Sequence, residues 1–209
     1  MRQFKKALKI LSFKHAKAPE SGKLAVKIEM ALVYEQMGDG ASAINVIDEV
    51  IDSNALDKNA RIALLRQKSA CLVQQHNPQE AIATLRRASA EADPKLREDI
   101  DTDACFLLRE ASPEEAKKAF QSLKIRNVKS EKFTLLSLCF DIDDHAFDEA
   151  DAKITALLAS APAPVKIPAL EQKIRLQKLR GDSQPDISKT AQALLALAPH
   201  NAMAKEALD

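Results

Sequence analysis

Three cysteines, Cys71, Cys105 and Cys139, follow one another at intervals of 34 and 34 residues. Evenly spaced thiols raise two chemistries, a redox pair and a zinc site. Both need the sulfurs close together. A disulfide closes only when its Cα atoms lie within about 7 Å, and a zinc–thiolate bond is about 2.3 Å long. The run Asp141 to Asp151, DIDDHAFDEAD, holds six acids and invites a calcium-loop reading. Such a loop needs Gly at its sixth place and Glu at its twelfth. Counted from Asp141 these places hold Ala146 and Ala152, so the pattern fails. A solvated turn leading into a helix with acids in its first turn accounts for the run instead. The four histidines, His15, His76, His145 and His200, lie far apart and near expected turns or ends. No HExxH, P-loop, GxGxxG or GxSxG occurs. A cysteine nucleophile would announce itself by a depressed thiol pKa, and nothing in the spacing singles one out. The expectation is no catalytic residue, no metal and no cofactor.

Charge is unevenly placed. Residues 1–27 carry eight Lys/Arg against one acid, whereas residues 91–115 carry nine acids against three Lys/Arg. The basic end suits nucleic acid, anionic lipid or an acidic partner. It contains Phe4 and Phe13 but offers no stacking platform, which favours a solvated face or a docking edge. The net charge of +1 gives no overall pull toward a polyanion. Low glycine, a single tyrosine and no tryptophan argue against a β-sandwich, and abundant Ala, Leu, Lys, Glu and Gln favour helix. No secretory signal and no membrane-spanning run stand out, and an odd number of cysteines suggests no disulfide framework. A reducing cytoplasm is the expected setting.

Everything else depends on the elements that place these residues. Leu24 to Asp57 reads as a helix hairpin. Ile28, Ala31, Leu32 and Tyr34 give the first helix its apolar face, Gly38-Asp39-Gly40 breaks the chain, and Ala43, Ile44, Ile47, Val50 and Ile51 give the second its own. The residue opening the second helix recurs at Ala43, Ala81, Ala116, Ala150 and Ile187, with Ala7 ahead of them, in steps of 36, 38, 35, 34 and 37. Four residues past each comes Leu11, Ile47, Leu85, Phe120, Ile154 and Ala191. Pro19, Pro162 and Pro199 lie twelve past theirs and Pro94 thirteen. One hairpin cannot bury both of its faces, so the repetition implies stacking.

With Ala31, Tyr34, Gly38 and Ala43 in place, the unit resembles a tetratricopeptide repeat, whose ideal step is about 34 residues. Ala55 stands where that family often has Pro, Asp141 where it has an aromatic, and Arg175 where it has a small residue. The expected fold class is all-α, a right-handed superhelical solenoid of stacked antiparallel helix hairpins. The expected organisation is a single domain over residues 1–209, with repeats at 24–57, 59–94, 95–128, 130–162 and 166–199. An end helix or half repeat occupies residues 1–19, and a terminal helix residues 201–209. The half-repeat look of residues 1–19 fits either a cap or a fragment of a longer protein.

The resemblance implies a non-enzymatic protein-interaction module or scaffold whose first helices line a concave groove for a partner's peptide or helix. Carried over residue by residue, the groove would hold Ile28, Leu32 and Gln36, then Arg66, Ala70 and Gln74, then Asp101, Cys105 and Arg109, and finally Leu135, Cys139 and Ile142. The other reading is a nucleic-acid-associated helical repeat protein working through the basic N-terminal region.

Overall fold

Local chemistry sets the helix starts. Carboxylate, amide or hydroxyl side chains accept hydrogen bonds from backbone N–H groups that have no partner within the helix. Asp39 accepts from Ser42, Asp57 from Ala60, Asn77 from Glu80, Asp93 from Leu96 and Ser130 from Phe133. Pro78, Pro94 and Pro113 sit at helix openings, where a missing N–H costs nothing. The computed structural model describes residues 2–53 and 55–208. Met1, Asn54 and Asp209, which the expected end helices and first hairpin include, lie outside the described residues.

The elements are α1 (Arg2–Lys17), α2 (Glu20–Gln36), α3 (Gly40–Asp52), α4 (Lys58–Gln74), α5 (Pro78–Glu91), α6 (Pro94–Ala111), α7 (Pro113–Ile125), α8 (Glu131–Asp143), α9 (Phe147–Ser160), α10 (Ala163–Arg180), α11 (Gln184–Leu197) and α12 (Ala202–Glu206). There is no strand among the described residues. The all-α repeat expectation holds, with helices packed in successive pairs. The first helices of two pairs begin earlier than the repeat pattern suggests, at Glu20 rather than Leu24 and at Ala163 rather than Lys166.

The hairpin turns share one backbone device. Gly38, His76, His145 and Gly181 have φ of 76°, 57°, 59° and 77°. The next residue's N–H then donates back across the helix end: Asp39 to Tyr34 at 2.9 Å, Asn77 to Leu72 at 2.9 Å, Ala146 to Asp141 at 2.7 Å and Asp182 to Gln177 at 3.0 Å. This is the closing geometry of a left-handed C-terminal cap, which glycine enters without strain and histidine enters at some cost. His76 and His145 are thus turn residues standing where two other hairpins use glycine. The α6–α7 connection differs, with only Ser112 between the helices.

Packing divides the chain into two units, residues 1–119 and 120–209. In unit 1, α2 packs on α3, α3 on α4, α4 on α5 and α5 on α6, around Ala31, Ile47, Leu65, Leu85 and Ile100. In unit 2, α8 packs on α9, α9 on α10 and α10 on α11, and α10 also packs directly on α8. Leu138, Ile142, Ile154 and Leu176 fill one core there, and Ile174, Ile187, Ala191 and Leu194 another. The helix-opening residues Ala43, Ala81, Ala116, Ala150 and Ile187 are all buried. The four alanines are small enough to let helices approach closely at their crossings.

Candidate functional site

Among the described residues, none of the cysteines is placed to act as a nucleophile or as part of a metal site. All three are buried and in no disulfide. Burial pushes Cys71 above the usual thiol range, and the Glu35 carboxylate adds to the shift. Burial raises Cys105 to about 12, against a small opposing pull from Arg109. The Cys105 Sγ donates to the Ala116 carbonyl at 3.5 Å, just as the Ser69 hydroxyl donates to the Ala81 carbonyl at 3.1 Å. These positions clasp the opening of the following helix. A thiol held protonated is a poor nucleophile and a poor metal ligand at neutral pH. The acid run spans the end of α8, the turn and the start of α9, with Asp148 and Glu149 in the first turn of that helix. Asp141, standing at the aromatic place, is paired instead with Lys153 of α9.

The expected groove residues divide between the units. In unit 1, Leu32 is 45% exposed on α2, and Gln36, Ala70 and Gln74 are exposed. Ile28 is half-buried against the core. Arg66 of α4 reaches across to α6, where Asp99 and Asp103 accept from it at 2.8 and 2.9 Å. Gln67 donates to Glu35 of α2 at 2.7 Å. Val73, absent from the expected set, is 39% exposed on α4. Leu32 and Val73 thus stand exposed on α2 and α4, two of the three helices that this polar ladder joins. On its other side α4 is pinned to α3 by Lys68, which donates to both Asp48 carboxylate oxygens at 2.8 Å.

Several expected groove positions are corrected by burial or by partners. Cys105 is buried under α7's opening residue. Asp101 accepts from the Ser89 hydroxyl of α5, so it serves the opposite side of α6 from Asp99 and Asp103. The cause is the short α6–α7 turn. Ala81 is reached from twelve residues back, by Ser69, but Ala116 from eleven back, by Cys105. Counting back from Ala116 therefore mis-sets the α6 face. Arg109 is half-buried near Cys105. In unit 2, Cys139 and Ile142 are buried, and Ile142 shares a core with Ala169 and Leu176 of α10. Leu135 is half-buried against the same core. Direct packing of α10 on α8 closes the face there.

Two signals in the sequence pointed to the missed residues. Asp99 and Asp103 are four apart on α6, so both can face one cation. The Ala111-Ser112-Pro113 junction leaves too little chain for a three-residue turn.

Among the described residues no helix is long and apolar enough to cross a membrane. The sequence matches no protein-family model and no characterised protein. The fold does match solved structures. PilW, a widely conserved type IV pilus biogenesis factor, aligns with TM-score 0.63 and 18% identity over 88% of this chain and 80% of that one. A tetratricopeptide repeat protein from Parabacteroides merdae aligns with TM-score 0.57 and 18% identity over 88% and 70%. The Rap conjugation gene regulator of plasmid pLS20, solved in complex with the Phr* peptide, aligns with TM-score 0.55 and 14% identity over 99% and 67%.

Proposed function

Starting from a tetratricopeptide-like helical repeat fold, we propose that this chain is a non-enzymatic protein-interaction module. Its binding face is the first-helix face of unit 1, and the occupant is a peptide or helix of a partner protein. The observation that carries this is the ladder of Glu35, Gln67, Arg66, Asp99 and Asp103 together with Leu32 and Val73, both exposed on helices that it joins. Hairpin packing does not need those two apolar side chains. Apolar contacts supply affinity, while the charged ladder sets register and partner choice. That a protein of similar fold holds a peptide supports the reading. The raised thiols and the acid run absorbed into a turn give no support to a catalytic alternative. A cytoplasmic setting belongs to the same proposal and suits three cysteines that form no disulfide.

The test is affinity capture from native lysate with the intact chain and with Leu32→Ser/Val73→Ser. The variant is expected to fold with an unchanged midpoint and to lose the partner. A folded variant that retains the same partner puts the interaction elsewhere.

A further inference from the structure

Helix α1 turns one side toward α2 and leaves the other outward. Leu11 is buried on the inward side, with Phe4, Ala7, Leu8 and His15 half-buried around it. Lys14 belongs to that packing, since it pairs with Glu29 of α2 at 3.1 Å. On the outward side, helical spacing gathers Ile10 and Phe13 with Lys5, Lys6, Lys9 and Lys17, all of them exposed. Ile10 is 57% exposed and Phe13 62%. The Lys17 ammonium sits over the Phe13 ring, 4.3 Å from its centre.

We propose that this outward face of α1 docks on an anionic lipid bilayer. Two large apolar side chains project from the middle of a cationic surface, with Lys5, Lys6 and Lys9 before them along the helix and Lys17 after. That arrangement matches a headgroup layer, where apolar groups enter the acyl boundary while ammonium groups stay among the lipid phosphates and carboxylates. Cations near such a surface are attracted by its negative potential. A nucleic-acid backbone would engage the lysines but leave Ile10 and Phe13 without a partner. An acidic helix would suit cations set along one edge of the apolar pair, whereas here they precede and follow it on the same face. The contact proposed for α1 is with the bilayer surface. It involves a different helix from the proposed partner face and stands independently of it.

The experiment is flotation of the intact chain with two kinds of vesicle, pure phosphatidylcholine and a mixture in which about a third of the lipid is phosphatidylserine. Partition onto the anionic vesicles is expected to exceed that onto neutral ones by about tenfold or more at low salt. Ile10→Ser/Phe13→Ser should reduce it by about tenfold, with the unfolding midpoint unchanged because both side chains face solvent. Should that pair lower the midpoint, Lys6→Glu/Lys9→Glu carries the test and should abolish the preference for anionic lipid. Equal partition onto the two vesicles, or anionic partition unaffected by the variants, overturns the proposal. So does tighter binding to polyglutamate or to a single-stranded oligonucleotide than to the anionic vesicles.

Discussion

Leu32 of α2 and Cys139 of α8 each stand eleven residues before their helix-opening alanine, yet Leu32 is 45% exposed and Cys139 only 2%. Three residues on, Glu35 in unit 1 accepts a hydrogen bond from Gln67, while Ile142 in unit 2 is buried in an apolar core with Ala169 and Leu176. The same place in the repeat is open and polar in one unit and closed and apolar in the other. The hairpin fixes the relation of a first helix to its own second helix. It leaves free what the first helix does toward the next first helix. Unit 2 uses that freedom to extend its core, beside a half-exposed ion pair from Arg175 of α10 to Asp143 of α8. Unit 1 ties its first helices with exposed and half-exposed polar groups, each worth little to stability, and leaves Leu32 and Val73 available to another molecule.

Four tests separate or sharpen this contrast, and urea or pH denaturation reads each of them. Ile142→Ala should destabilise unit 2 by about 2–5 kcal/mol, whereas Leu32→Ala should stay within about 0.5 kcal/mol. Equal costs would erase the distinction between the faces. Ala81→Leu overpacks a buried crossing inside a unit 1 hairpin and should cost about 1–3 kcal/mol. An unchanged midpoint would mean that the hairpin interior is as open as its outer face. The Cys105 thiol holds its proton to about 12 when folded, against a usual value near 9. The unfolded chain therefore releases that proton first, and stability should fall as pH rises from 9 toward 12, by about 1.4 kcal/mol per pH unit. Cys105→Ala should make that part of the curve shallower, leaving the contribution of the Cys71 thiol, and an identical slope in the variant would contradict the assignment. The smallest effects belong to the turns, which the two units share. His76→Gly and His145→Gly should each gain a few tenths of a kcal/mol, and Gly38→Ala should lose about 1 kcal/mol. Unequal responses of the two histidines would show that the turns differ as well as the faces.

The hairpins were legible because their signals are local. Ala43, Ala81, Ala116 and Ala150 mark where helices cross, and Asp39, Asn77 and Ser130 mark where helices start. The histidines were legible only as turn residues. That His76 and His145 take up a positive φ in place of glycine is a backbone property no spacing reveals. The exposure of the expected groove positions was half legible. Leu32 is exposed as the repeat implies, but the burial of Cys139 and Ile142 depends on how closely α10 lies against α8. That distance is set by all the side chains between the helices. Asp101 and Cys105 were misplaced because the α6–α7 connection lacks two turn residues relative to the others, which rotates the register when it is counted from Ala116.

Thiol reactivity compares the two faces directly, because unit 2 already carries a thiol at the place Leu32 occupies in unit 1. The Leu32→Cys variant has four thiols, three of them native and buried. In the folded protein a disulfide reagent should modify the introduced thiol quickly and the three native ones only on unfolding, and a bound partner should slow the fast one. Rapid modification of Cys139 alongside the introduced thiol would contradict a closed unit 2 face, and no rapid modification at all would contradict an open face in unit 1.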